Sequence, residues 1–353
     1  MNGTIDLLNV GDGDAIILSL SKEEDNLVIV IDGGENRHYL SKVKPILEQR
    51  LKEKGKTAPD IVVATHYDSD HIGGLIPLIE DYIGGISEVW VHRSPELSRQ
   101  ALQIFESRQD LQHLKSRDEF LFEGKLMSIN SNIKEEAIMS KSNFVIESLK
   151  QLDTFLGKIP VDKVKHVYSG YSPNGWPEIK VLGPTEDFYN SLFPNSKTLG
   201  ELIVEETIDY MSEGLANYHK RFTELANYGD NPCDALKTEA SAKLTPTNKA
   251  SIIISLDKEN DRFLFTGDAG ITSFKEIPDW KNQLKNLFWL KIPHHGSDNN
   301  ISTEIIDIMK PKFADSSGDR HQDNHVLGCI SKNNRSQQFP RSTKNGSDLL
   351  INI

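Results

Sequence analysis

Residues 61–74 read Ile-Val-Val-Ala-Thr-His-Tyr-Asp-Ser-Asp-His-Ile-Gly-Gly: an apolar run that predicts a buried strand, then two imidazoles and two carboxylates between His66 and His71. In an extended loop, positions i and i+2 point the same way, so His66, Asp68 and Asp70 can converge while His71 reaches a second ion. Two divalent cations can share such a cluster. A polar turn with surface histidines uses the same residues, so the stretch is decided by its context. Three distant segments repeat its grammar: Val30-Ile31-Asp32-Gly33-Gly34, Phe265-Thr266-Gly267-Asp268, and Ile292-Pro293-His294-His295-Gly296-Ser297. A strand followed by Asp-Gly is by itself an ordinary turn signature. Together the segments read as strand ends delivering ligands to one edge of a sheet assembly.

Working outward, Ile16–Leu20 and Leu27–Ile31 predict two strands around the charged turn SKEEDN, so the first 65 residues read strand, turn, strand, helix, strand. Val43, Ile46, Leu47 and Leu51 recur at helical spacing up to Gly55, and Leu75, Leu78 and Ile79 predict a helix after the histidine cluster. Ser94-Pro95 offers an N-cap and a proline at the first helical position, with Leu97, Ala101, Ile104 and Phe105 behind it. Asn143–Leu156 and Leu199–Tyr228 predict further amphipathic helices, with a short strand at 179–182 between them. Strands return at Ser251–Leu256, Arg262–Thr266, Leu287–Ile292 and Leu349–Ile353. The expected organisation is residues 1–93 and 246–353 as two halves of one α/β fold, with 94–245 as a helix-rich insertion between core strands.

At 353 residues the chain is long enough for two domains, or for one large layered domain with an insertion. A net charge of −12 and a pI near 5.4 argue against a mainly electrostatic nucleic-acid coat protein. No apolar run is long enough to span a bilayer, and the start lacks a basic region followed by an apolar one, so a cytoplasmic location is expected. Cys233 and Cys329 are too few and too far apart in sequence for a disulfide framework or a cysteine zinc site; a reducing compartment is expected.

The sequence resembles the metallo-β-lactamase-fold hydrolases, and among them the soluble hydrolase domain of ComEC-type competence proteins. The resemblance rests on VGDGDAI (10–16), VIDGG (30–34), THYDSDHIGG (65–74), FTGD (265–268) and KIPHHGS (291–297). It implies a four-layer αββα sandwich with two divalent metals at one edge, Zn²⁺ ahead of Mn²⁺. His66 and Asp68 would ligate one metal, Asp70 and His71 the second, and Asp268 would bridge them. Asp32 would orient a ligand, and Asp14 lies in a loop that faces the site, with Asp12 where such proteins have Gln. The wider family has His at position 68; the oxygen ligand moves preference from Zn²⁺ towards Mn²⁺. A further ligand is expected beyond the double histidine. His325, seven residues after Gly318, takes that place ahead of His321, although valine follows it where relatives have proline. The wider family's separate ligand between the second and fourth motifs has no counterpart in the flanks of His92, His113, His166 or His219. Asn248 and Ser251 stand where the ComEC branch has an Asn/Ser pattern before a strand.

A carboxylate-bridged metal pair lowers the pKa of bound water towards neutrality, so hydrolysis is the implied reaction. For a phosphodiester, His294 or His295 could protonate the leaving oxygen, the other serving as a ligand, and Lys249, Lys291 or Arg320 could hold a phosphate. The expected substrate is a nucleic acid or a small phosphodiester. The alternatives are a small ester, lactone, amide or cyclic nucleotide; a di-iron oxidoreductase; and an accessory protein gated by a co-encoded partner.

Overall fold

The computed structural model describes the chain apart from residues 24, 94, 108–130, 208–230, 240, 241, 243, 319–321 and 345, and apart from the side chains of 95, 104–107 and 131–141. His113, His219, Arg320, His321 and most of the helix expected at 199–228 lie outside the described residues.

Two sheets are packed face to face. The first runs β13-β1-β2-β3-β4-β5-β6, with β1 Asn2–Leu7, β2 Ala15–Lys22, β3 Asp25–Gly33, β4 Ile61–Val63, β5 Glu88–Trp90, β6 Val164–Lys165 and β13 Leu349–Asn352. The second runs β12-β11-β10-β9-β8-β7, with β7 Ile179–Gly183, β8 Ile253–Lys258, β9 Asp261–Phe265, β10 Trp289–Lys291, β11 Phe313–Ser316 and β12 Arg341–Ser342. Strands β3 to β6 are parallel, as are β9 to β12; hairpins join β1-β2-β3 and β8-β9, and β7 pairs antiparallel with β8 across a long connection.

The period-2 alternation of the strands decides the layering. Ile16, Leu18, Ile29, Ile31, Ile61, Val63, Ile254, Phe263, Phe265 and Trp289 face the gap between the sheets. Their neighbours Ile17, Val28, Val30 and Val62 face outward, under helices α1 (Lys44–Lys54) and α3 (Leu75–Tyr82). Ile253, Leu264 and Leu290 face the opposite way, under the helices Thr303–Met309 and Asn324–Asn333. Three apolar layers between four structural layers give the expected αββα sandwich. Each fully buried Ile, Leu or Val contributes roughly 1.5–3 kcal/mol, so strands this short are held by burial on both faces.

Helix α1 ends at Gly55, whose φ of +65° is the left-handed cap that lets its N–H reach Leu51 and Lys52. Helices Pro95–Ser107 and Ser131–Gly157 join the outer layer on the first sheet through Leu97, Ala101, Leu149, Leu152 and Phe155. The stretch 94–245 also supplies two sheet strands, the edge strand β6 as well as the anticipated β7. The amino-terminal strand β1 precedes the first strand expected from sequence, because its polar Asn2-Gly3-Thr4 start hides the apolar Ile5 and Leu7 that it buries.

One expectation is overturned. Cys233 and Cys329 are bonded to each other across 96 residues of sequence, tying the turn Pro232–Ala235 to the helix Asn324–Asn333. Their distance in sequence gave no hint that the chain folds these two elements against one another.

Candidate metal centre

The carboxyl ends of parallel strands from both sheets open onto one edge. Strand β3 brings Asp32, the loop after β4 brings His66, the loop after β9 brings Asp268, the turn after β10 brings His294 and His295, and Ser317 follows β11. A strand end is where a backbone leaves the ladder and a side chain can face a ligand while its neighbours stay anchored.

The expected extended alternation from His66 to Asp70 holds only as far as Asp68. Ser69–Ile72 is a single helical turn (α2), with the amides of His71 and Ile72 donating to the Asp68 carbonyl at 2.9 and 3.0 Å. Asp70 and His71 therefore come round on the turn rather than along a strand. The turn is seated by close backbone contacts: a Cβ on Gly13 would lie 1.8 Å from the Asp70 carbonyl oxygen, so the Gly-Asp-Gly-Asp loop packs directly on it.

The ligand atoms cluster tightly. His66, His71 and Asp268 bring ligand atoms within 4.8 Å of one another, as do Asp70, His71 and His295, and Asp268, His294 and His295. The Nε2 atoms of His71, His294 and His66 lie 3.4, 3.6 and 3.9 Å from Asp268 Oδ2, and His66 Nε2 lies 3.8 Å from Asp68 Oδ2. His325 is in none of these groupings; it sits half-buried in the first turn of the helix Asn324–Asn333, its amide donating to Asp323.

The outer nitrogen of every clustered imidazole is tied down, and the ties fix which nitrogen faces the centre. His71 Nδ1 donates to Asp32 Oδ2 at 2.9 Å. Thr65 Oγ1 donates to the same Oδ2 at 2.6 Å, so at its 3.1 Å contact with His66 it accepts from Nδ1. Asn300 gives its amide hydrogens to the carbonyls of Asp268 and Ala269, which leaves its oxygen to accept from His294 Nδ1 at 3.0 Å. Ser317 Oγ donates to Asp14 and thereby accepts from His295 Nδ1 at 3.1 Å. All four rings thus carry hydrogen on Nδ1 and turn Nε2 inward.

Sequence reading missed Thr65, Asn300 and Ser317, which carry no chemistry of their own. Lys291, read from sequence as a phosphate holder or equally a solvated surface charge, is instead fully buried and ion-paired with Asp14. Gly318 at φ +80° is needed for space, since a Cβ there would come within 2.5 Å of the His295 ring. His294 and His295 themselves adopt left-handed φ values of 44° and 59°, a cost on the order of 1 kcal/mol or more each that the surrounding bonds sustain. Ser251 Oγ accepts the Asp268 amide at 3.2 Å and stands 3.4 Å from His66 Nδ1.

The electrostatics follow the packing. Burial opposes ionisation of Asp268, but the His294 and His71 imidazoles outweigh it and hold its carboxyl well below the usual range. Burial also works against charge on His71, where Asp268, Asp32 and Asp70 overcome it and raise the ring. Burial holds His66 well below its ordinary value and pushes His295 down to about 3, and it raises Asp70. For Asp14 the burial penalty is exceeded by the Lys291 ammonium, so the carboxyl is lowered.

The donor set fits divalent cations. His66 Nε2, His71 Nε2 and Asp268 Oδ1 are buried and make no hydrogen bond, each a several-kcal/mol liability unless something else satisfies it. Imidazole nitrogens mixed with carboxylate oxygens suit Zn²⁺ and Mn²⁺ alike.

Residues 11–136 match the family described as Metallo-beta-lactamase superfamily. No curated protein matches. Among solved structures, a diphosphatase from the PhnP family is 11% identical, with 100% of this chain and 98% of that one covered and a TM-score of 0.38. The hydrolase AbOPH of the beta lactamase superfamily is 15% identical, with 72% and 55% covered and a TM-score of 0.26. The match of residues 11–136 to that superfamily is a likeness over about a third of the chain, and together with the clustered ligands it supports a metallohydrolase.

Proposed function

We propose that the protein is a dinuclear metal-dependent phosphodiesterase, acting on nucleic acid or on a small phosphodiester. The observation that carries the reading is the set of four imidazoles with Nδ1 tied outward and Nε2 turned towards Asp268. In the proposed ligand set His66 and Asp68 would hold one metal and Asp70, His71 and His295 the other, with Asp268 as a further ligand. His325 is left out of that set because its side chain joins none of the groupings among the described residues, whereas Asp68, also outside them, stands 3.8 Å from His66 Nε2.

Bound divalent metals would supply Lewis acidity and a water acidic enough to attack at neutral pH. The chain's own residues do the rest. Asp32 and Asp14 set ring orientation through Thr65 and Ser317, directly so for His71. Asp70, raised by burial, contributes an oxygen on the side of His71 and His295. His295 is buried, whereas the His294 side chain keeps 13% of its exposure. His294 therefore faces the solvent side, and with Nδ1–H committed to Asn300, its Nε2 would take up a proton from solvent to give the imidazolium and pass that proton to the leaving oxygen.

The test is metal content of the purified protein by elemental analysis, with hydrolysis of bis-p-nitrophenyl phosphate and of plasmid DNA, wild type beside Asp70→Ala. About two equivalents of Zn or Mn, with turnover lost in the variant, is the expected result. Two equivalents of iron, or turnover of neither phosphodiester, overturns the reading.

A further inference from the structure

We infer that Glu206 is a positioning residue of the metal centre: acting through Thr247, it fixes the backbone from which Ser251 braces His66 and Asp268. The inference rests on the dinuclear reading above and deepens it, because it makes one helix of the stretch 94–245 a part of the site.

Residues 199–207 are helical. Leu199, Leu202 and Ile203 put this helix into the apolar layer that also holds Tyr67 and Phe193, whose ring centroids lie 6.3 Å apart. Gln100 fastens its start by accepting the Leu199 amide at 2.9 Å. Next to that layer Glu206 is only 1% exposed. A buried carboxylate costs several kcal/mol to desolvate, and it is kept where specific donors meet it.

Two such donors come from Thr247. Glu206 Oε1 accepts its amide at 3.1 Å and its hydroxyl at 2.7 Å. Thr247 has a single hydroxyl hydrogen, and the shorter, charge-assisted bond takes it. At their 3.1 Å contact the Tyr67 hydroxyl therefore donates to Thr247 Oγ1. Thr247 is held from two sides, by a helix 41 residues before it and by the histidine loop 180 residues before it. A hydrogen-bonded chain buried at low dielectric specifies one arrangement of its parts.

What Thr247 fixes is the turn Pro246–Lys249, which leads into β8. The Ser251 amide donates to the Asn248 carbonyl at 3.1 Å, and the Ile252 amide donates to the Thr65 carbonyl, just before His66, at 2.9 Å. Ser251 Oγ is thereby placed to accept the Asp268 amide and to meet His66 Nδ1. Tyr67 and Thr247 also line the small cavity that His66 borders. A shift of the turn moves contacts of two proposed ligands at once, one from each sheet.

The test is cobalt(II) loading of the full-length protein, comparing wild type, Glu206→Leu, Glu206→Gln, Thr247→Val and Leu202→Ala. Each is measured by retention against a graded chelator series, by the visible spectrum of the bound cobalt, which reports ligand geometry, and by melting temperature. Glu206→Leu should weaken retention of one equivalent about tenfold and shift the spectrum, the lower end of what ligand-orienting groups are worth. Glu206→Gln keeps an oxygen for both Thr247 donors and should stay close to wild type. Leu202→Ala truncates the same helix without touching these bonds, so it should lower the melting temperature and leave retention unchanged. Equal losses in Leu202→Ala and Glu206→Leu would overturn the inference in favour of general packing. If Glu206→Leu does not fold, Thr247→Val decides, since it removes the hydroxyl and keeps the shape. Unchanged retention and spectrum in either folded variant overturn the inference. Both readouts are taken without substrate, so they stand apart from turnover. Weakened retention in Glu206→Leu of a protein that hydrolyses neither phosphodiester upholds the inference and overturns only the activity, whereas a wild type that takes up no cobalt overturns the inference and the dinuclear reading together.

Discussion

Asp32→Asn is the sharpest test of how the centre is built, because the substitution keeps the shape and changes only what the side chain can accept. Asp32 has a left-handed φ of 57°, a region asparagine adopts readily, so the backbone is not disturbed. Its carboxylate accepts three donors: the Thr65 amide at 2.8 Å, the Thr65 hydroxyl at 2.6 Å and His71 Nδ1 at 2.9 Å. An amide replaces one accepting oxygen by an NH₂ that faces a donor. One buried donor is then unsatisfied, at about 1–3 kcal/mol, and the contact to His71 loses its charge assistance, at about another 1 kcal/mol. We expect a folding loss of roughly 2–4 kcal/mol. We also expect a ten- to hundredfold weaker metal affinity, because His71 and, through Thr65, His66 lose the bonds that hold Nε2 inward. The assay is metal retention against a graded chelator series, followed by elemental analysis, with thermal melts on the same samples. A lowered melting temperature with metal affinity unchanged refutes the reasoning, since stability would then depend on Asp32 while ring orientation did not.

Gly318→Ala places a methyl group against the His295 ring and should reduce metal content towards one equivalent; Gly175→Ala has a similar φ of +79° with open space around it and should retain the wild-type content. Equal metal content in the two variants would mean that the His295 ring does not need that space. For His92, burial lowers the pKa to about 4 from 6.5, so the unfolded chain binds the extra proton first as pH falls. Its contribution is intact above pH 6.5 and declines through the window down to about pH 4, by on the order of 3 kcal/mol in full. Urea melts across that window should show a shallower pH dependence for His92→Phe than for wild type, and parallel curves would contradict the assignment. Replacing Cys233 and Cys329 together by Ser should cost about 2–5 kcal/mol of stability with metal content maintained, and thiol counting on the denatured protein should find no free thiol before reduction.

The parts of this molecule legible in its sequence are those that repeat locally. Alternating Ile16–Leu20 and Leu27–Ile31, and the short runs ending at Asp32, His66, Asp268 and His294, carry their strands and polar termini within a few residues of each other. The two-residue edge strands β6 and β12 carry no periodic signal, because a pair of residues has no alternation to read. The roles of Thr65, Asn300 and Ser317 were hidden for a different reason. A hydroxyl or amide is common everywhere, and only the partner on each side, Asp32 and His66 for example, makes it an orienting group. Lys291 shows the same limit in reverse. From sequence it is a cation beside a motif, and from the fold it is the counter-charge of Asp14, a residue 277 positions earlier whose loop belongs to the other sheet.

That last pairing ties metal binding to the packing of the two sheets. Asp32, Thr65 and His66 all stem from the first sheet, so their orienting bonds form as soon as β3 and β4 pair. His295 is oriented differently: Ser317 and Lys291 come from the second sheet, while Asp14 comes from the loop between β1 and β2 of the first. Its tautomer is therefore set only when the inter-sheet layer of Ile16, Ile31, Phe265 and Trp289 has closed. A metal whose ligands are assembled by the fold is gained together with folding, and here the Asp32 and Thr65 bonds that orient His66 and His71 form within the first sheet, whereas those that orient His295 form across the interface. Apolar truncations between the sheets, such as Phe265→Ala, should for that reason weaken retention at the His295 side before the His66 side. Loss of both metals in parallel as the inter-sheet layer is truncated would show that the two halves of the centre form as one unit.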